Sequence, residues 1–386
     1  MDGQGAWPRG LGARLDALER CGARLELRLP DRSRFRIGPG RALCRVDVAD
    51  RAALVALARG DHLAAAEAFL ARRIDVEGDL REALRVLDTM QWRATPWARL
   101  ARAVRGLAAR GRWRRASVAF HYDRPPDFFL PWLDRWRSYT HGLYASPGED
   151  LETAQERKLA RAFEALGLAP GARVLDVGCG WGSFMEYAGR RGVAVQGLTL
   201  SAAQHAFVVD RLAREGWPGR VSCADFFDWE PERPLDGAVL MGSLEHLVDL
   251  DRVAARLARW LAPGARIWAD FCSAPGDDTA VGAFLARHIW PGHARYVRLP
   301  RLRRALARHG FRELEVADDT ASYALTVRHW AERLDRESKA LEERFGADDV
   351  RAFRLFLRAS QAFFETRRTQ AHHLVATRLS ASSAGG

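Results

Sequence analysis

Long apolar runs are missing from this chain. No stretch of its 386 residues reads as a bilayer span, and the opening "MDGQGAWPRG" lacks the apolar core of a signal peptide. Cysteine is scarce. Cys21, Cys44, Cys179, Cys223 and Cys272 form no C-x-x-C pair and no zinc spacing. That argues against a disulfide framework or a metal site and favours reduced thiols in a cytoplasm. No N-P-P-[YF]-type motif and no dedicated nucleic-acid module is found, so a nucleic-acid partner is not expected. Acidic charge is also short: 49 Asp and Glu face 60 Lys and Arg, a formal net charge of +11. The excess points to an anionic partner, although much of the arginine is scattered among alanines. Hydrophobic residues make up 48% of the chain, enough for one large α/β domain and a smaller one.

What is present is organised around "VLDVGCGWGSF", residues 174–184. A short apolar run precedes it and a helical pattern, "FMEYAGRRG", follows it, giving strand, glycine turn and helix. Gly178, Gly180 and Gly182 let the backbone turn sharply and let a ligand approach, because no Cβ intervenes. The helix start turns free N–H groups toward that ligand. Asp176 ends the strand as a hydrogen-bond acceptor. The glycines run G-x-G-x-G, not the G-x-G-x-x-G of dinucleotide sites. D-x-G-x-G-x-G after a strand is similar to the turn of S-adenosylmethionine (SAM) methyltransferases.

Further along, "VAVQGLTLS", "RVSCADFFDW", "PLDGAVLMGSLEHL" and "RIWADFCSA" read as strands two to five, separated by helical patterns. Such alternation predicts a parallel, doubly wound sheet with its ligand at the carboxyl ends of the strands. Asp176, Thr199, Asp225, Glu245 and Asp270 all fall there, with Gln204 on the next helix. Upstream, residues 1–30 read as a loose start leading into a short helix, and "SRFRIGPGRALCRVDV" as a hairpin. "DRAALVALARG" and "DHLAAAEAFLARR" read as helices capped by Asp50 and Asp61, and "DVEGDLREALRVLDTM" as a turn and a helix. A helix starting at Thr95-Pro96 sets Trp97, Leu100, Val104 and Leu107 opposite Arg99, Arg102, Arg105 and Arg110. It is either a linker helix with a solvated basic face or a helix lying on an anionic membrane. "HYDRPPDFFLPWLDRWRSYTHGLY" is aromatic enough to be core or to line an apolar substrate cleft. After a strand at "FRELEVADD", long helical patterns run from "ALTVRHWAERL" to "TQAHHLVATRL", and "SASSAGG" is a disordered tail.

Together these pieces resemble the cyclopropane-fatty-acyl-phospholipid synthases, a branch of the SAM methyltransferases. The resemblance rests on "GDHLAAAEAFLARRIDVEGDL", "HYDRPPDFFLPWLD", "SYTHGLY", "VLDVGCGWGSF", "GLTLSAAQ", "GSLEH" and "FLARHIWPGH", and spans nearly the whole chain. It implies a Rossmann-like class I SAM methyltransferase sheet, with a small N-terminal α+β accessory domain and a helix-rich C-terminal part. The implied order is an accessory, lipid-associated domain over 1–95, the basic linker helix over 96–118, the catalytic domain over 119–379 and the tail over 380–386. Implied SAM contacts are Tyr139, Thr140, Gly178, Gly180, Thr199, Leu200, Gln204 and Asp225, beside Asp176 and Gly182 of the turn.

The resemblance also implies a reaction. An alkene of an unsaturated acyl chain attacks the SAM methyl, and loss of a proton from the resulting cation closes a ring or leaves a branch. In the family a bound bicarbonate takes that proton, and Glu245 and Tyr323 match two residues of its shell. Three positions depart from the family: His141 stands for Cys, Asp270 for His, and Cys272 for an apolar residue. A second carboxylate beside Glu245 would repel bicarbonate unless neutralised or protonated, and His141 is the expected neutralising group or the base itself. The expected enzyme is a carbon methyltransferase acting on a membrane phospholipid, peripheral on the inner membrane face, with a homodimer left open. Its rivals are a small-molecule methyltransferase on the same scaffold and a non-catalytic lipid-binding homologue.

Overall fold

A computed structural model describes residues 22–59, 61–89, 124–275, 282–290 and 295–380. The basic helix expected over 96–118 and the residues from 381 onward lie outside them.

A four-stranded sheet comes first. Its strands are β1 (Leu25–Arg28), β2 (Arg34–Ile37), β3 (Cys44–Val48) and β4 (Ile74–Gly78), in the order β2-β1-β3-β4. Helices α1 (Arg51–Arg59), α2 (His62–Leu70) and α3 (Leu80–Thr89) accompany it. As expected, Asp50 and Asp61 cap the first two, accepting the N–H groups of Ala53 at 2.8 Å and Ala64 at 3.0 Å. The expected hairpin is not formed, because β1 lies between β2 and β3 and pairs with both. Residues 25–28, expected to be helical, are that central strand, and β4 occupies the expected turn. Four-residue strands leave too short an alternation to read, so tertiary pairing decides them.

Beyond this unit lie α4 (Pro126–Phe129) and α5 (Leu151–Leu166). Asp150 caps α5 through the Thr153 N–H at 2.7 Å, and Gly167, at φ 65°, ends it in the left-handed region. The large sheet follows: β5 (Arg173–Val177), α6 (Ser183–Gly189), β6 (Ala194–Thr199), α7 (Ala202–Glu215), β7 (Gly219–Cys223), β8 (Leu235–Met241), α8 (Leu250–Trp260) and β9 (Leu261–Ser273). Then come α9 (Leu299–Arg308), β10 (Phe311–Asp318), α10 (Thr320–Phe345), α11 (Ala347–Glu365) and β11 (Gln370–Arg378). The strand order is β7-β6-β5-β8-β9-β11-β10, parallel from β7 to β9. Val174, Leu175, Val195, Ala238, Val239 and Ile267 are buried on its two faces, as a sheet covered by helices on both sides requires. The order reverses at β5, which has β6 on one side and β8 on the other, so the crevice opens where the glycine turn leaves β5.

β11 corrects the sequence reading. "TQAHHLVATRL" looks helical in isolation, but residues 370–378 run antiparallel between β9 and β10, filling the sheet interior. Long α10 and α11 form an antiparallel-type helical pair around Gly346, at φ 92°. The outer helix anchors the small sheet: Arg351 Nε donates to the Phe69 carbonyl at 2.6 Å, and its guanidinium lies 3.8 Å from the Phe69 ring centre. No helix among the described residues is long and apolar enough to cross a membrane.

Candidate active site

The turn after β5 builds a cleft from backbone. Gly178, Gly180 and Gly182 have φ values of 77°, 55° and 82°, all left-handed. A Cβ on Gly178 would lie 2.9 Å from the Ser243 Cβ, so β8 closes against the turn only because glycine stands there. A Cβ on Gly180 would meet nothing within 4 Å, because that face looks into the cleft. Gly182 does not line the cleft; it starts α6, and a Cβ there would crowd Val208 at 3.2 Å. The other expected contacts, Tyr139, Thr140, Asp176, Thr199, Leu200, Gln204 and Asp225, all line it.

Local bonding fixes these side chains. Thr199 Oγ1 donates to Gln204 Oε1 at 2.8 Å and accepts the Ser201 N–H at 3.1 Å. Ser201 also caps α7 through the Gln204 N–H at 3.2 Å. Asp225 Oδ1 accepts the Phe227 N–H at 2.8 Å. Sequence reasoning missed Arg137, Phe226, Met241 and His246 on the same wall. Arg137 carries a signal visible only in three dimensions: a left-handed φ of 62°, unusual for a side chain of its size.

Behind Thr140 lies a residue the sequence reading passed over. Lys158, on α5, is 1% exposed, and its Nζ donates to Thr140 Oγ1 at 2.6 Å. Burial lowers its pKa, while Asp270, Asp134 and Asp176 pull it back up. Burial raises Asp176 to about 7, with Asp270 adding and Lys158 opposing. It likewise raises Asp134 to about 6, against Lys158 and the N–H groups of Trp136 and Ser138. One buried cation thus serves three buried acids. A clue was available: only two of the 60 basic residues are lysines, Lys158 and Lys339.

The second group of expected residues gathers beyond β8. Glu245, in the turn Leu244–His246, accepts the Cys272 N–H on Oε1 at 2.6 Å. Its Oε2 is shut off from solvent with no hydrogen-bond partner among the described residues. Burial, with Asp270 adding, raises this carboxyl to about 7 against the Cys272 N–H. Tyr323, on α10, packs against the same cluster as Cys272 and stacks on Phe364 at 4.3 Å; burial and the nearby acids push its hydroxyl far above the usual range. Asp270, 1% exposed, accepts a long bond of 3.4 Å from Trp268 Nε1.

His141 Nε2 lies 3.1 Å from Asp319 Oδ2, at the start of α10, and its ring centre 4.9 Å from that of Tyr323. The cation facing Asp270 is Lys158. An aromatic wall of Phe128, Phe129, Trp132, Trp181, Trp330 and Phe353 packs as one buried cluster that Tyr139 and Tyr323 join. The segment around 128–132 is therefore core as well as cleft neighbour.

The chain is similar to known proteins in both sequence and fold. Residues 110–374 match the family model of mycolic acid cyclopropane synthetase. A probable fatty acid methyltransferase of Mycobacterium tuberculosis is 30% identical over 291 residues, 70% of this chain and 67% of that protein. The cyclopropane-fatty-acyl-phospholipid synthase of Escherichia coli is 29% identical over 264 residues, 67% of this chain and 66% of that one. Among solved structures, a mycolic acid cyclopropane synthase complexed with SAH and CTAB superposes with a TM-score of 0.64 at 25% identity, over 68% of this chain and 98% of that one.

Proposed function

The chain belongs to the mycolic acid cyclopropane synthetase family of SAM-dependent, cyclopropane-forming and methyl-branching fatty acid methyltransferases, and on that premise we propose that it transfers the SAM methyl to the double bond of an unsaturated acyl chain of a membrane phospholipid. The observation that carries this reading is Glu245: a buried carboxyl, tied at one oxygen and unpartnered at the other among the described residues, beside an aromatic wall. The cleft lining suits the cofactor. Gly180 leaves room against the backbone, and Asp176, Asp225, Thr199 and Gln204 offer acceptors and a donor for hydroxyl and amino groups. SAM supplies an electrophilic methyl group. The chain's task is to orient the alkene, keep water away from the cation and remove one proton.

In this reading Glu245 Oε2 takes that proton, which its raised pKa suits at neutral pH. Cys272 N–H holds the other oxygen and fixes the carboxyl plane. Bicarbonate fits poorly here. The Cys272 N–H it would need is engaged by Glu245, and Asp270 adds a second acid. Product formation should therefore be the same in degassed buffer with and without added bicarbonate.

The phospholipid substrate is supported by the likeness to the Escherichia coli synthase. A lipid-associated accessory unit over 1–95 and the basic helix over 96–118 are part of the same proposal. Replacing Arg99, Arg102, Arg105 and Arg110 by Gln should weaken binding to anionic vesicles by roughly 1 kcal/mol per residue, and salt should weaken the wild type alike. The decisive experiment is mass spectrometry of lipids from a host expressing the protein. A gain of one CH2 on unsaturated phospholipid chains is expected, with ring and branch separated by NMR. Unchanged lipids, with methylation of a small molecule instead, would overturn the reading.

A further inference from the structure

The carboxyl oxygen that takes the proton is shut off from solvent, so a proton delivered there needs a way out. Glu245 Oε2 has no contact with solvent, and Asp270 and His141 are each 1% exposed. One continuous line of titratable groups does leave this region. His141 Nε2 is 3.1 Å from Asp319 Oδ2, and the same oxygen is 2.6 Å from His373 Nδ1 on β11. His373 Nε2 is 3.3 Å from Glu315 Oε1 on β10. Glu315 is 36% exposed and paired with Arg161 at the surface. At the inner end His141 Nδ1 is buried with no partner among the described residues, and the ring lies against Tyr323, which packs with Cys272, whose backbone N–H holds Glu245.

We propose that His141, Asp319, His373 and Glu315 form a proton-exit path from the reaction pocket to solvent. It rests on the reading of Glu245 as proton acceptor given above. The substrate C–H bond breaks, its electron pair stays on carbon to close the ring or form the alkene, and the proton goes to Glu245. Emptying Glu245 restores the enzyme. His141 Nδ1 accepts a proton from the shared pocket while Nε2 releases one to Asp319. Asp319 passes one to His373 Nδ1, and His373 Nε2 gives one to Glu315, which exchanges with water. A turn of each imidazole resets the path.

The surroundings fit transfer along this line. Burial alone would raise Asp319, but the hydrogen bonds and charges of both histidines hold it well below the usual carboxylate range. Burial alone would lower His373, and Asp319 and Glu315 reverse this. The other groups facing these rings are Trp268, stacked on His373 at 4.4 Å, Asp270, its neighbour across β9, Tyr323 on α10, and His372, whose pKa is lowered by burial. None of them interrupts the line.

The test compares wild type with His141→Ala, His373→Asn and Glu315→Gln, scoring lipid product, SAM affinity by calorimetry and turnover in D2O against H2O. Each substitution should slow turnover, the two histidine changes by at least about tenfold. SAM affinity should not change, and the variants should turn over more slowly in D2O. Added imidazole should restore His141→Ala, which a purely structural loss would not permit. Glu315 is 36% exposed, so Glu315→Gln keeps the test open if a core variant fails to fold. If wild type makes lipid product and all folded variants match its rate and its D2O response, the path is wrong while the function stands. If wild type makes none, the path has no proton to carry and falls with the function.

Discussion

Gly178, Gly180, Thr199 and Gln204 reach the cofactor cleft from a short span of consecutive chain, largely through backbone shape. The proposed proton pocket draws Glu245, Tyr323 and His141, with Asp270 and Cys272 of β9, from four separate places in the chain, mainly as side chains. Both sit at the carboxyl edge of one sheet. In the first, the determining variable is φ; in the second it is burial. A cleft made of φ values tolerates changes in charge around it. A pocket made of buried carboxyls depends on each charged neighbour, because desolvation sets every protonation state there.

Four changes probe this contrast. Gly180→Val should abolish SAM binding in calorimetry, since it fills the open face of the turn and strains a left-handed residue by about 1–3 kcal/mol besides. Tight binding by a folded Gly180→Val protein would show that the cleft is not set by backbone shape. Glu245→Gln should cut lipid product by about 10²-fold or more and leave SAM affinity intact. Loss of both together would merge the two regions into one. Lys158→Met removes the cation from among Asp134, Asp176 and Asp270, so unfolding by urea should show a loss of about 3–5 kcal/mol. A near-neutral result would mean that the acids simply bind protons instead. The smallest effect is with pH. Glu245 and Asp134 have native pKa values of about 7 and about 6, above their ordinary 4.5 and 3.8. Between those values the folded state binds more protons than the unfolded one, so their contribution makes stability fall as pH rises and level off above about 7. Urea midpoints measured across that window should drop, and Glu245→Gln should flatten the drop.

The same contrast explains what the sequence disclosed. The glycine turn was legible because its meaning is local: three glycines at fixed spacing after an apolar run demand that backbone. The parallel strands and their terminal polar residues followed from alternation with helices. Lys158 was not legible, because nothing near it in the chain says that Asp134, Asp176 and Asp270 converge on its Nζ. Motif position sets His141 near Glu245, but says nothing of Asp319, far along the chain, which holds its Nε2. β1 and β11 were missed for one reason. Each is a strand only because two partners flank it, and a partner is not a property of a short segment.

β11 also sets an order in time. β9 and β10 do not touch each other; each is completed only by the strand that runs between them. On the ribosome, everything from β5 to β10 therefore emerges with a slot open in its middle, waiting for residues beyond 370. Until then the flanking strands expose unpaired backbone, a template for pairing with another nascent chain. The enzyme cannot acquire His373, or seal Trp268 beneath it, before that insertion. Insertion of β11 is thus the step that closes the sheet, and a chain cut short before residue 370 would lack a finished one.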